Sequence, residues 1–198
     1  MKKDFTGYIL AGGKSSRMGR DKAFLKIVER TFIENAVEIL KANCEQVKIV
    51  LNKSQKHFIE KLPAEIPHIF DIYENRGAPG GIHAALKDCE TEFAIILAVD
   101  LPRVNGEAIE KLCSIAVDST DFSAIVPRQP DGRLQPLCAV YRAEDCLPKL
   151  EEILLKNNSA SARDFLEIVK INIIESADLS DYYYLFANIN YPQDILIL

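Results

Sequence analysis

The chain has 198 residues, a length that suggests one domain, and its 48% hydrophobic and 27% charged residues are those of an ordinary globular protein. Its apolar runs, such as Phe93–Val99, fall far short of the roughly 20 residues a membrane-spanning helix needs, and Met1-Lys2-Lys3-Asp4-Phe5-Thr6 lacks the apolar stretch of a signal peptide. The net charge of −5 argues against a nucleic-acid coat, yet residues 1–30 hold eight Lys/Arg against three Asp/Glu. A basic end on an acidic chain suggests a local anionic ligand, with a merely solvated basic end as the alternative. Five cysteines (Cys44, Cys89, Cys113, Cys138, Cys146) are widely spaced without a C-x-x-C pair. They read as buried thiols in a reducing, cytoplasmic compartment.

Thr6–Leu10 predicts a short strand, followed by a glycine-rich loop to Asp21. Thr31 and Glu34 form a capping-box pattern opening a helix with Phe32, Ile33, Ala36, Val37 and Leu40 on one face. Val47–Leu51 predicts a strand, Ser54–Leu62 a helix, His68–Ile72 a strand and Gly80–Cys89 a helix. Phe93–Val99 has no polar alternation, as expected of a strand covered on both faces. Asn105 caps a helix carrying Ile109, Leu112, Cys113 and Ala116. Phe122–Pro127 and Leu137–Tyr141 flank the turn sequence Gln129-Pro130-Asp131-Gly132 and predict an antiparallel excursion. Helices at Asp145–Asn157 and Ala162–Ile168, a strand at Ile171–Ile174 and a short helix from Pro192 complete the chain. Successive βα units imply a mostly parallel sheet with helices on both faces, whose ligands sit beyond the carboxyl ends of the strands.

The chemistry-bearing residues fall at such ends. Ala11–Asp21 is an eleven-residue loop with three glycines and two serines, and it runs into Lys22. Connections between strands and helices usually take about 2–6 residues. Glycines there let backbone amides form a concavity for phosphate oxygens, while Arg17 and Lys22 supply positive charge. The pattern is neither a Walker A loop nor G-x-G-x-x-G. Asp100, in Val99-Asp100-Leu101-Pro102, stands where a Mg²⁺ could bridge it to a nucleotide phosphate, although such a residue alone is more often an N-cap or turn former. Asp71 is similar and weaker, and Asn52 has a cap or turn as its default role. Gly77-Ala78-Pro79-Gly80-Gly81 opens a helix whose first amides could hold an anion. His57, His68 and His83 share no metal-ligand spacing, and Tyr182-Tyr183-Tyr184 reads as a packed edge.

Leu10-Ala11-Gly12-Gly13-x-Ser-x-Arg17-Met18-Gly19-x-Asp21-Lys22 resembles the opening motif of the molybdenum cofactor guanylyltransferases. The resemblance continues through Asp71, Gly77–Gly81, Val99–Pro102, Gln135-Pro136-Leu137 and Phe186-Ala187-Asn188-Ile189-Asn190-Tyr191-Pro192, nearly the whole chain. It implies a three-layer, Rossmann-like α/β nucleotidyltransferase fold over residues 1–198, with a mostly parallel sheet and a small antiparallel excursion. It also implies transfer of GMP from GTP to the terminal phosphate of molybdenum-molybdopterin, releasing pyrophosphate, with Mg²⁺ as cofactor.

By the same resemblance Leu10, Ala11, Gly12 and Gly13 line the nucleotide, and Asn52 and Asp71 contact its base or ribose. Lys22 and Arg17 meet the phosphates, Asp100 holds the metal, and Asn188 and Asn190 lie toward the pterin acceptor. Backbone groups of Leu10–Gly12 and of the second glycine loop are expected to read the base. Implied partners are the two substrates and transient contacts with molybdenum-insertion or acceptor apo-enzymes, with neither nucleic acid nor membrane. One departure stands out: the family's second glycine loop usually reads Gly-Pro-Leu-x-Gly, and here it is Gly77-Ala78-Pro79-Gly80-Gly81. A cytidylyl- or uridylyltransferase of the same fold, acting on another phosphorylated acceptor, is the alternative. Gly12-Gly13 favours the guanylyl branch, because cytidylyl relatives typically carry Ala-Gly after Leu-Ala. A non-catalytic nucleotide-binding module is a second alternative, against which Lys22 and Asp100 speak.

Overall fold

A computed structural model describes residues 4–12, 22–27, 29–73, 75–157, 159–181 and 184–187. The first half holds β1 (Phe5–Leu10), a 3-10 turn (Lys22–Phe24), β2 (Lys26–Ile27), β3 (Arg30–Thr31), α1 (Phe32–Asn43) and β4 (Gln46–Leu51). A 3-10 helix (Lys53–Lys61), β5 (His68–Phe70), α2 (Ala78–Asp88) and β6 (Phe93–Ala98) follow. The rest is α3 (Gly106–Asp118), β7 (Ala124–Arg128), β8 (Cys138–Arg142), α4 (Ala143–Lys156), α5 (Ala162–Ile168), β9 (Ile171–Glu175) and α6 (Ser176–Leu179). The expected C-terminal helix from Pro192 lies outside the described residues.

Seven strands form one sheet in the order β5-β4-β1-β6-β8-β7-β9. β1 pairs in parallel with β4 and β6, β4 with β5, and β7 with β9. The antiparallel pair forms as the turn sequence requires, with Ala124 opposite Tyr141 and Ile125 opposite Val140. It is no appendage, however. β8 also pairs antiparallel with β6 and therefore sits inside the main sheet. A hairpin of β2 and β3, which the sequence did not suggest, lies outside that sheet.

Alternation along β1 divides the core into two halves. Phe5 and Ile9 pack with Phe32, Ile33 and Leu40 of α1 and Ile109 and Leu112 of α3. Tyr8 and Leu10 pack on the other face with Ile82 of α2, Leu150 of α4 and Phe165 of α5. Three layers result. Side-chain caps open α1, α3 and α5. Thr31 Oγ1 accepts from Glu34 N–H at 3.2 Å while Glu34 Oε2 accepts from Thr31 N–H at 2.7 Å, and those bonds hold the Glu34 carboxyl below its ordinary range. Asn105 Oδ1 accepts from Ala108 N–H at 2.9 Å. Ser161 and Asp164 repeat the capping box at α5.

The segment expected to be helical from Ser54 is instead a 3-10 helix broken at Gln55 (φ −97°, ψ 19°), because the Gln55 side chain is engaged elsewhere. Four of the five thiols are buried as expected, and Cys89 is half-buried. Tyr184 is 57% exposed with the Arg103 guanidinium over its ring, so it is not a packed edge, and Tyr182 and Tyr183 lie outside the described residues. No helix among the described residues is long and apolar enough to cross a membrane.

The amino ends of the strands carry a polar tether. Tyr8 is wholly buried and donates its hydroxyl to Asp88 Oδ2 at 2.8 Å, the oxygen that also accepts from Lys48 Nζ at 2.8 Å. Burial, then the neighbouring Cys89 and Asp88, pushes the phenol far above its ordinary range. A second polar residue sits between helices. His83 on α2 is 2% exposed, stacks edge-on against Tyr73, and shares a hydrogen bond with Glu151 of α4 at 3.3 Å. Its Nδ1 is buried with no hydrogen-bond partner among the described residues. Protonation would put an N–H there with nothing to receive it. Burial accordingly lowers the imidazole pKa, against the opposing pull of Glu151 and with help from Lys87.

Two expectations for stability follow from this packing. Gly7 lies where α1 crosses β1: a Cβ there would stand 2.9 Å from Cys44 Sγ and 3.1 Å from Leu40 Cβ. Gly7→Ala should cost about 1–3 kcal/mol in urea unfolding, and adding Cys44→Ala should recover part of the loss. For His83, the unfolded chain takes up a proton near its ordinary value of 6.5 that the folded chain refuses. Stability should therefore fall as pH drops from 7.5 to 5.5, above the range in which Glu151 titrates. His83→Phe should shrink that difference in denaturation midpoint, and an unchanged difference would remove His83 as its source.

Candidate active site

Parallel register decides which residues meet at the carboxyl edge. Leu10 stands opposite Val50 on one side and Ala98 on the other. Two residues beyond each of these three come Gly12, Asn52 and Asp100. Leu51 stands opposite Phe70, so the next step brings Asn52 beside Asp71. All four residues line one cavity of about 760 Å³, together with Leu10, Ala11 and Lys22, and with Gly77 and Ala78 from the start of α2. That volume is within the usual range for small-molecule sites. Gly13, Arg17, Asn188 and Asn190 lie outside the described residues.

Asp100 ends the turn after β6, and Lys22 Nζ approaches its Oδ2 at 3.5 Å, with the two side chains 17% and 29% exposed. A carboxylate and an ammonium thus share the mouth of the cavity, on the edge contributed by β6 and the 3-10 turn. Across the cavity, Asp71 is 4% exposed, and its Oδ1 accepts from Tyr73 N–H at 2.9 Å. Its other oxygen packs on the first turn of α2 so closely that a Cβ on Gly80 would lie 2.6 Å from Oδ2. Negative charge at that helix start is therefore supplied by the protein itself, which suits the positive end of the helix dipole. Gly77 takes φ +59° at the N-cap, and α2 begins at Ala78, two residues before the expected start.

The backbone at the end of β1 is more fully engaged than the sequence suggested. Val99 N–H donates to Leu10 O at 3.1 Å, and Ala11 N–H donates to Val50 O at 3.1 Å. Ala11 O accepts from Gln55 Nε2 at 3.0 Å. These bonds narrow the backbone readout expected of Leu10–Gly12 and leave the Asn52 side chain as a prominent polar group of this wall. Asn52 lies close against Gly12, where a Cβ would come 3.0 Å from its Nδ2.

Polar residues at or beside the cavity escaped the sequence reading, Gln55, Asn75 and Lys53 among them. Gln55 is buried at 6% exposure and also accepts from Asn52 N–H at 2.9 Å. Its signal was present as Asn52-x-x-Gln55, a capping-box spacing. Asn75 lines the cavity with φ +62°, a left-handed conformation that asparagine tolerates. Lys53 lines it from the first position of the 3-10 helix. The histidines play no part in the cavity lining: His57 stacks on Phe58, His68 on Phe70, and His83 lies between helices. Among the described residues no three or more His, Cys, Asp or Glu gather as a metal cluster.

Comparison with known proteins gives the chain its family and fold. A probable molybdenum cofactor guanylyltransferase of Geobacillus is 31% identical over 189 residues, covering 95% of this chain and 94% of the relative. One from Clostridium perfringens is 36% identical over 152 residues, covering 76% of this chain and 72% of the relative. The crystal structure of molybdopterin-guanine dinucleotide biosynthesis protein A from Archaeoglobus fulgidus superposes with a TM-score of 0.81 at 25% identity, covering 97% of this chain and 95% of that one. Residues 7–174 match the model of the MobA-like NTP transferase domain, which contains the described cavity residues from Leu10 to Leu137, and the chain therefore belongs to that family.

Proposed function

We propose that the chain acts as a single nucleotidyltransferase domain that moves GMP from GTP to the terminal phosphate of molybdenum-molybdopterin, yielding molybdopterin guanine dinucleotide and pyrophosphate. The observation that carries this reading is the cavity: Gly12, Asn52, Asp71, Lys22 and Asp100 converge on it in a chain whose relatives are named for this reaction. An acceptor phosphate oxygen attacks the α-phosphorus of GTP. The new P–O bond forms as the bond to the bridging oxygen breaks, and pyrophosphate leaves with that electron pair. A phosphate monoester is already ionised near neutrality, so no strong general base is required. The residues of the chain contribute position and charge.

Asp100 is the residue that would hold Mg²⁺. Its hard oxygen donors suit that ion, and it already faces a cation in Lys22. Mg²⁺ usually takes one or two carboxylates and completes its shell with water and substrate phosphate, so a lone aspartate at the cavity mouth is an adequate protein contribution. When bound, the ion would neutralise charge on the phosphates during transfer. Lys22 would then turn from Asp100 toward the polyphosphate, the group that the family resemblance also assigns to Arg17. Asn52 and Asp71 would face the base and ribose, and Asn188 and Asn190 the pterin.

Pyrophosphate release with each of the four NTPs, with and without molybdenum-loaded molybdopterin, tests the assignment. Acceptor-dependent release should favour GTP over ATP by at least about 100-fold in kcat/KM, about 2.7 kcal/mol. Comparable use of CTP would transfer the reading to the cytidylyl alternative. Asp100→Asn should preserve the fold, by circular dichroism, while cutting Mg²⁺-dependent turnover at least about 100-fold, because a neutral amide is a poor ligand for a hard dication. Activity above a few per cent of wild type would place the metal elsewhere.

A further inference from the structure

We infer that Gln55 is a positioning residue for nucleotide recognition: it locks the ends of β1 and β4 together so that Ala11, Gly12 and Asn52 form a fixed wall. This rests on the nucleotidyltransferase reading and adds to it a residue that does not line the cavity. The geometry is two-handed. Gln55 Nε2 donates to Ala11 O at 3.0 Å, and Gln55 Oε1 accepts from Asn52 N–H at 2.9 Å. Its own backbone N–H donates to Asn52 O at 2.8 Å. The partners fix the orientation of the amide, since a carbonyl can only accept and an N–H can only donate.

The position also shows why the chain breaks its helix there. Gln55 is buried at 6% exposure and bridges 44 residues of sequence to reach Ala11. Its backbone leaves helical geometry to do so. Without the side chain, Ala11 O and Asn52 N–H would lose their partners beside the cavity, and buried polar groups left unpaired are costly. The Ala11 peptide would turn, and with it Gly12, which lies against the Asn52 amide. A residue acting only as a helix cap would stabilise the fold without altering which base is bound.

The experiment compares wild type, Gln55→Leu and Gln55→Glu by calorimetric titration with GTP, ATP, CTP and UTP, each read against the nucleotide that wild type prefers. Gln55→Leu should weaken binding of that nucleotide at least about 10-fold and reduce its preference over the other three by a similar factor. Gln55→Glu keeps the acceptor for Asn52 N–H but at neutral pH sets a carboxylate against Ala11 O. Protonated, the carboxyl can donate to that carbonyl again. Its affinity relative to wild type should therefore be lowest at pH 8 and recover as pH falls toward 5.5, a profile that a loss of stability alone would not produce. Amide exchange at Asn52, faster in Gln55→Leu and protected in Gln55→Glu, checks the bond itself.

If Asn52 exchange accelerates while affinity and preference stay within about twofold of wild type, Gln55 is a cap and the inference falls. If Gln55→Leu fails to fold, a pH-independent ratio for Gln55→Glu overturns it equally. A wild type that prefers a nucleotide other than GTP would defeat the guanylyl reading alone, because Gln55 is then judged on that nucleotide.

Discussion

Parallel pairing of β1 with two neighbours is the constraint on which the site depends. Both faces of β1 are buried, so its register cannot slip by one residue without sending Phe5 and Ile9 to the face of Tyr8 and Leu10. Parallel strands all end on the same edge, and the register ties Leu10, Val50 and Ala98 into one row. Gly12, Asn52 and Asp100 follow two steps later, from loops far apart in sequence. The core therefore determines the spacing of the polar groups at the cavity. It also explains why Gly7 is tied indirectly to function: without close approach of α1 at that point, the central strand could not keep its seat.

The two aspartates at this edge stand in different surroundings. Asp71 is sunk against the first turn of α2 and receives the Tyr73 N–H, so its charge is met by the protein. Asp100 is partly open and faces the mobile charge of a lysine side chain at 3.5 Å. A carboxylate that must trade partners when a metal and phosphate arrive needs the second environment. One that must hold a wall in place needs the first. Burial and helix contact thus suit Asp71 to shaping the cavity, and exposure suits Asp100 to exchanging cations.

Much of this was readable in advance because it depends on local chemistry. The Thr31/Glu34 capping box and the Asn105 cap act within one helical turn, and the unbroken apolar run Phe93–Val99 announces a strand covered on both faces. Other features depend on distant partners. Nothing local to Cys138–Arg142 tells a strand that it will enter between β6 and β7, since strand order is settled by the whole sheet. The spacing of Asn52 and Gln55 could be recognised as a cap, but the bond to Ala11 needs the folded distance between β1 and the segment after β4. Nothing in the spacing of the histidines points to the buried imidazole of His83 between α2 and α4, whose partner Glu151 lies 68 residues away.

The second glycine loop departs from the family's usual motif yet still opens α2 behind a glycine N-cap. Against the family's usual Gly-Pro-Leu-x-Gly, the proline stands one place later, at the second position of α2. The first four N–H groups of a helix have no partner within it, so a proline at either place removes no intrahelical bond. The glycines at the motif's two ends remain, as Gly77 with its positive φ and Gly81 in ordinary contact with Leu10. Gly80 becomes the indispensable residue of the new arrangement, because the Asp71 carboxylate occupies the space a side chain would need. The substitution thus keeps the helix start and its buried carboxylate, and changes which amide in the first turn is missing. An effect on recognition would come through the amide gained at Ala78, the one lost at Pro79 and the smaller side chain of Ala78 on the cavity wall.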